Sequence, residues 1–155
     1  MNFRIAGLSP EPFRPLFGLE DAALAALGAR RLIVDAKPGF PDRIELRDAE
    51  PGETVILVNH EHQPANNPFR SRHAVFIIEG AAVAYDRVNQ IPDVMLIRPM
   101  SLRAFDADDM MIDADLASGG DLKPLIDRLL TDPHAAYIHA HYARRGCYAA
   151  RIQRA

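Results

Sequence analysis

The sequence predicts an α+β fold: a single domain over residues 1–155, built on a mostly antiparallel, strongly curved β-sheet with two short helices. Short apolar or alternating segments follow one another between turn residues, which is typical of strands joined in hairpin succession. Only two segments show helical spacing, and they lie far apart in the chain. A chain of 155 residues with 48% apolar side chains is long enough to form one hydrophobic core.

Helical spacing is found in residues 18–31 and in residues 117–133. In the first segment, acidic side chains would lie in the first turn, where they complement the helix dipole, and Gly28 would cap the C-terminus. In the second, Pro124 would lie in the first turn, and apolar side chains recur every three or four residues. Each segment therefore predicts one short helix.

The remaining patterns predict strands. Residues 43–49 alternate apolar and charged side chains, as a half-buried strand does. A Pro-Gly turn at residues 50–53 would join them to the apolar segment 54–62 as a hairpin. Residues 63–72 are a loop by composition. The other predicted strands are residues 31–36, residues 73–80, two or three short strands within residues 94–116, and a closing hairpin within residues 137–152.

Composition excludes several classes of function. A net charge of −3 gives no reason to expect nucleic acid or an anionic membrane surface as a partner. No apolar segment approaches the ~20 residues that span a bilayer. A single cysteine excludes an internal disulfide and a cysteine-based zinc site. Residues 1–13 lack the apolar segment of a secretory leader, so we expect a cytoplasmic protein. The sequence predicts neither a cofactor nor an oligomeric state.

The closing hairpin carries the most chemically versatile side chains. Because side chains alternate along a strand, Ile138 should lie on the core face, and His139 and His141 on the opposite face. A second H-x-H pair, His60 and His62, ends an earlier predicted strand. Imidazoles on strand ends are typical metal ligands, but this spacing alone does not predict a metal site. The residues that could hold a metal are His60, His62, His139 and His141.

Cys147 follows Gly146 in the same hairpin, among small and apolar neighbours. We expect Cys147 to be a packing residue, as most buried cysteines are. The alternative is a thiolate nucleophile activated by a histidine. On that alternative the catalytic candidates are Cys147, His139 and His141.

Arginine supplies every basic side chain except Lys37 and Lys123. Its planar guanidinium binds carboxylate and phosphate through paired hydrogen bonds, which favours a pocket for a small anion. The candidate ligand-binding residues are His62, Arg70, Arg72, His139, His141 and Arg151. The alternative is that these arginines lie on the surface and pair with nearby carboxylates.

Several segments resemble the bacterial domain-of-unknown-function family 1203: GLSPEPFRPLFGL, PGFP-R, NHEHQPANNPFRSRHAVFI and IHAHYARRGCYAARIQRA. Members of that family have a cysteine at the position of Asp42 and often a tyrosine at that of His60. The resemblance therefore implies no role for these two residues. It leaves His62, Arg70, His139, His141, Gly146, Cys147 and Arg151 as better site candidates, and it implies no particular activity.

The sequence is best explained by a small binding domain that takes a small, anionic ligand in a pocket lined by histidine and arginine. Two alternatives stay open. One is a small enzyme that uses either a metal bound by the H-x-H histidines or a Cys147–histidine pair. The other is a protein-interaction module without pocket chemistry.

Overall fold

The computed structural model describes all residues from 1 to 155 and confirms the α+β class and the antiparallel pairing. The strands are β1 (Phe3–Ala6), β2 (Arg30–Ile33), β3 (Thr54–Gln63), β4 (Ser71–Ile78), β5 (Asp86–Val88), β6 (Met100–Phe105), β7 (Met111–Ala117), β8 (Tyr137–Tyr142) and β9 (Tyr148–Arg154). The α-helices are α1 (Asp21–Ala26), α2 (Asp93–Leu96) and α3 (Leu122–Thr131). None of these helices has the length and apolar character needed to cross a membrane.

The strands form two separate sheets. The larger has six strands in the order β5-β1-β9-β8-β6-β7, and the smaller has three in the order β2-β3-β4. Both sheets are open, with edge strands at each side, so the strong curvature expected from the sequence is wrong. The nine strands are divided between two sheets that bury apolar side chains in separate cores, instead of forming one continuous sheet that curls around a single core.

The main core lies between the six-stranded sheet and helices α2 and α3. Alternate side chains of β6 and β8 enter it, and Ile138 is completely buried there. Burial of a side chain of this size stabilises the fold by about 1.5–3 kcal/mol. The helix α3 contributes Leu122, Leu125, Ile126, Leu129 and Leu130. A second, smaller core packs residues of β3 and β4 against Phe13 and Ile44.

The strand predicted for residues 43–49 is wrong, and so is its hairpin with β3. This segment is a loop with one isolated bridge, between Pro41 and Asp48. The buried Asp42 carboxylate organises it, because it accepts hydrogen bonds from the backbone N–H groups of Ile44 (3.0 Å), Glu45 (2.5 Å) and Ile78 (2.7 Å). Those bonds satisfy donors that a strand would have given to a neighbouring strand.

The prediction of two helices is also wrong, because the chain contains a third, α2, within a segment read as strand. Pro92 precedes its first turn, and Val94 and Met95 enter the main core. A single helical turn buries Val94 and Met95 as well as a strand would, so the local apolar pattern did not distinguish a helix from a strand. The short strands β1 and β5 were not predicted, since three or four residues carry too little periodicity.

Candidate functional site

The polar side chains of interest lie on the face of the six-stranded sheet that is turned away from helices α2 and α3. On β8, His139 and His141 lie on this face and Ile138 on the other, as the alternation predicted. Both imidazoles are nevertheless almost fully buried, with 3% and 1% of their surface exposed. They are buried because β3 and β4 of the smaller sheet cover them, which the sequence of the hairpin does not reveal.

Two histidines of the smaller sheet complete the covering layer. The pairing of β3 with β4 shifts register between His60 and Gln63, which leaves one extra residue on β3. Such a bulge changes the direction of the side chains that follow it. Within the bulge, His62 stacks on His73 with ring centroids 4.8 Å apart and planes 7° from parallel. The Gln63 amide donates a hydrogen bond of 2.8 Å to the Tyr137 hydroxyl, which joins the two sheets.

Three imidazoles from three strands converge between the sheets. We call His62, His73 and His141 the histidine cluster; one potential ligand atom from each lies within 4.8 Å of the others. The His141 ring lies 5.1 Å from His62 and 5.4 Å from His73, in both cases edge to face. His139 packs beside the cluster, 5.8 Å from His62, and Tyr148 stacks on His62 at 4.9 Å.

The cluster contains nitrogen atoms whose hydrogen bonding is incomplete. The Nδ1 atoms of His62 and His73 are buried and have no hydrogen-bond partner. Buried polar atoms are nearly always paired, so two orphaned nitrogens in one cluster need an explanation. His141 differs, because its Nδ1 lies 2.9 Å from the carbonyl oxygen of Gly146. Nδ1–H donates this bond, since a carbonyl can only accept, and Nε2 is left with its lone pair.

Burial keeps these imidazoles neutral. It lowers the pKa of His139 and His141 to about 3, and that of His62 to about 4, because desolvation disfavours the charged ring. The pKa of His73 is also lowered, first by burial and then by the nearby charge of Arg103. At pH 7 each ring therefore has one nitrogen with a free lone pair.

A cleft of about 610 Å³ opens beside the cluster, and His73 lines it. We call it the arginine cleft, because its lining includes Arg43, Arg98, Arg144 and Arg145 and no carboxylate. A second cavity, of about 420 Å³, has no such bias, since acidic and basic side chains both line it.

Arg43 is the buried cation of this cleft, with 1% of its surface exposed. Its Nε donates to the carbonyl of Tyr148 at 2.8 Å, and its Nη2 approaches the Cys147 sulfur at 3.0 Å. Its Nη1 donates to the carbonyl of Pro41, and its guanidinium lies over the ring of Tyr142. None of these partners is a carboxylate, so the charge of Arg43 has no acidic counterion.

The other arginines of the cleft differ in their pairing. Arg98 forms a two-point ion pair with Asp48, with N–O distances of 2.6 and 2.9 Å, and both side chains are largely buried. Arg144 and Arg145 are exposed in the turn between β8 and β9, and neither forms an ion pair. The net positive charge of the cleft therefore comes from Arg43 and this turn.

The structure distributes the residues predicted from the sequence over several places. His62 and His141 belong to the histidine cluster, and His139 packs beside it. His60 packs on Phe13 with ring centroids 5.4 Å apart. Arg151 lies over the Tyr137 ring, 3.9 Å from its centroid.

Arg70 and Arg72 do not line the arginine cleft. Both are exposed and pair with Glu61, Arg70 at 3.1 Å and Arg72 at 3.4 Å. This is the surface pairing that was the alternative to a binding role. Cys147 is half-buried rather than buried, and it both contacts the main core and lines the cleft. Its hydrogen-bond partner is Arg43 and not a histidine, so the Cys147–histidine pair considered from the sequence is not formed.

Five residues of the site are not among the candidates chosen from the sequence: His73, Arg43, Arg98, Arg144 and Arg145. His73 begins a predicted strand as a lone histidine, and nothing local distinguishes it from an exposed residue. In the pairing of β3 with β4, His73 lies directly opposite His60, next to the end of β3 that carries His62. This pairing would have indicated that His73 belongs to the site, but strand register cannot be determined from one sequence. Arg98 was missed because its segment was read as strand.

Comparison with known proteins places most of the chain in a family. The family model described as "Protein of unknown function (DUF1203)" matches residues 39–154, which contain the whole histidine cluster and all four arginines of the arginine cleft. The segment 7–19, which contributed to the resemblance seen in the sequence, lies outside the matched range. No curated protein matches the chain, and no solved structure does.

Proposed function

Because the chain belongs to the DUF1203 family, whose description states no activity, we propose from the geometry of the site that the protein binds a small anionic ligand in the arginine cleft. The observation that carries the proposal is the lining itself: four arginine side chains and no carboxylate, in a chain whose net charge is −3. A ligand that presents a carboxylate or phosphate group has the matching charge and hydrogen-bonding geometry.

The buried guanidinium of Arg43 provides the energetic argument. Removing an unpaired ion from water costs several kcal/mol, and carbonyl groups, a thiol and an aromatic ring compensate only part of that cost. A bound anion beside Arg43 would supply the missing counterion. The burial of the site strengthens this attraction, because a low local dielectric weakens screening.

The turn between β8 and β9 provides the accessible part of the binding surface. Arg144 and Arg145 have no carboxylate partner, so an incoming anion does not have to displace one. Their exposure also makes their attraction sensitive to salt. Arg43 would then anchor the anion in the cleft, while the two exposed arginines attract and enclose it.

The experiment is calorimetric titration of the purified protein with inorganic phosphate and, separately, with succinate, in buffer containing a metal chelator. We expect saturable binding of one anion per chain, weakening as sodium chloride is added. The double variant Arg144→Gln/Arg145→Gln should bind at least about tenfold more weakly. That factor corresponds to losing one hydrogen bond to a charged group, worth about 1.5 kcal/mol.

The matched control is Arg70→Gln/Arg72→Gln, which also removes two exposed arginines but leaves the cleft intact. Its affinity should equal that of the wild-type protein. If this control loses binding while the Arg144→Gln/Arg145→Gln variant keeps it, the ligand site lies at the residues expected from the sequence and the cleft proposal is wrong. If neither phosphate nor succinate binds to the protein, the proposal that the arginine cleft binds an anion is also wrong.

The enzyme alternative now depends on a metal rather than on a Cys147–histidine pair, because Arg43 takes the place of the histidine beside the thiol. A protein-interaction module would leave the arginine cleft without a ligand, and the same titration separates it from the proposed binding domain.

A further inference from the structure

We propose that His62, His73 and His141 form a binding site for one divalent transition-metal ion. One potential ligand atom from each residue lies within 4.8 Å of the other two, although the three residues come from β3, β4 and β8. The site does not depend on the anion-binding proposal, since it uses different side chains apart from His73, which borders both.

The donor set defines the class of metal. Three neutral imidazoles and no carboxylate suit the zinc, cobalt, nickel and copper class, whereas magnesium and calcium require oxygen ligands. Three histidines with a fourth position open are a known arrangement for zinc. The low pKa of the buried rings supports this assignment, because a ring must be unprotonated to bind a metal.

The hydrogen bonding of the cluster fits metal ligation. A ligating histidine normally donates its other N–H group to a carbonyl or carboxylate, which fixes the orientation of the ring. His141 makes this contact with the Gly146 carbonyl. His62 and His73 each have a buried Nδ1 without a partner, and a metal would satisfy such atoms.

The spacing requires a small contraction. A tetrahedral ion bound at about 2.0 Å from each nitrogen holds the nitrogens about 3.3 Å apart. The observed upper limit of 4.8 Å therefore calls for movements of roughly an ångström, which side-chain rotation supplies. An ion can reach the site from the arginine cleft, because His73 lines that cleft and is only half-buried.

The surrounding charges set a further condition. Arg103 of β6 is paired with His139 of β8, beside the cluster. Burial is the main cause that lowers the pKa values of His62, His73 and His141, and the positive charge of Arg103 lowers them further. The positive charge of Arg103 repels a divalent metal ion that is bound by the three neutral imidazoles alone. An anionic oxygen, either hydroxide or a group of a bound anion, would be required in the remaining coordination position to offset it.

The test is calorimetric titration of chelator-treated, dialysed protein with zinc chloride in buffer free of phosphate. We expect one Zn²⁺ per chain. His73→Gln and His141→Gln should each weaken binding by more than about tenfold, since loss of a group that supports a metal already costs about 10–100-fold. Cobalt chloride provides a second readout, because Co²⁺ held by protein ligands changes its visible absorption spectrum.

The matched control is His134→Gln, which removes an exposed histidine from the segment before β8. It should bind zinc as the wild-type protein does. Circular dichroism in the presence of chelator shows whether each variant folds. If the buried substitution His141→Gln prevents folding, His73→Gln, at a half-buried position, still tests the metal site. Equal zinc affinity in wild-type protein and His73→Gln, or no saturable binding, would overturn the metal site. Neither result would change the binding of phosphate measured in the presence of chelator. The metal site and the anion site can therefore be disproved independently of each other.

Discussion

The guanidinium of Arg43 lies 3.0 Å from the sulfur of Cys147, measured from Nη2 to Sγ, and both groups line the arginine cleft. The two residues are 104 positions apart in the chain. Arg43 belongs to the loop that Asp42 organises, and Cys147 to the turn between β8 and β9. The contact therefore places a free thiol in the wall of the cleft that we propose as the anion site.

We predict that phosphate protects Cys147 from alkylation. The thiol is half-buried and lines the cleft, so iodoacetamide should reach it in the folded protein. A bound anion beside Arg43 would exclude the reagent. The rate of alkylation should fall in proportion to the fraction of protein that has phosphate bound, measured by mass spectrometry at increasing phosphate concentration.

The control for this prediction is urea-denatured protein, in which phosphate should leave the rate unchanged. If calorimetry shows phosphate bound to the folded protein and the alkylation rate does not change, the anion occupies another site.

We predict that Asp42→Ala lowers the free energy of unfolding by about 2–4 kcal/mol. The carboxylate accepts three backbone hydrogen bonds in a buried position, and its removal leaves donors unpaired. Asp42→Asn keeps one acceptor oxygen and should cost less. Urea unfolding of the three proteins, followed by circular dichroism, measures the difference; equal stability of Asp42→Ala and wild type would show that the loop is organised by other contacts.

We predict that Gly7→Ala destabilises the protein through the same loop. A Cβ atom at position 7 would lie 2.1 Å from the carbonyl oxygen of Ile44, which is backbone and cannot rotate away. The loop would have to move, at a cost of about 1–3 kcal/mol, which is typical of overpacking. Thermal unfolding measures this loss.

Gly120→Ala is the matched control for Gly7→Ala, because a Cβ there meets no atom within 4 Å. It should unfold close to the wild-type temperature. A Gly7→Ala protein as stable as the Gly120→Ala protein would contradict the close approach of residue 7 to the loop.

We predict that the contribution of Glu53 to stability disappears in acid. Hydrogen bonds from Arg47, at 2.6 and 2.8 Å, lower the pKa of Glu53 from 4.5 to about 2. Because the folded-state pKa lies below the unfolded value, the stabilisation is present above about pH 4.5 and is lost as the pH falls towards 2. At pH 7, Glu53→Gln should be less stable by up to about 1 kcal/mol, since the pair is partly exposed.

Urea unfolding of wild type and Glu53→Gln between pH 7 and pH 3 provides the measurement. The difference in unfolding free energy should shrink as the pH falls. If the difference in unfolding free energy does not change with pH, the negative charge of Glu53 does not contribute to stability.

The loop at residues 43–49 illustrates why prediction failed where it did. Its alternation of Ile44 and Leu46 with charged residues satisfies the strand pattern, and both side chains are indeed buried. The chain nevertheless turns there, because Asp42 takes up three backbone donors and Leu46 adopts a left-handed conformation with φ at 51°. Burial was predictable from the pattern. The pattern does not reveal that Asp42 competes for the backbone donors, and the third of its bonds, from Ile78, forms only when β4 is in place.

The sequence by itself determined the α+β class, the helix α3, and the alternation that puts Ile138 in the core and His139 and His141 opposite, because these follow from periodicities within one segment. The tertiary structure alone decided which histidines meet and which arginines share a cleft. His73 joins His62 and His141 through a β-bulge and the covering of one sheet by another, and Arg43 reaches Cys147 across 104 positions. Contacts of this kind depend on strand register and sheet apposition, which the whole chain sets through the burial of its apolar faces and which no local pattern encodes.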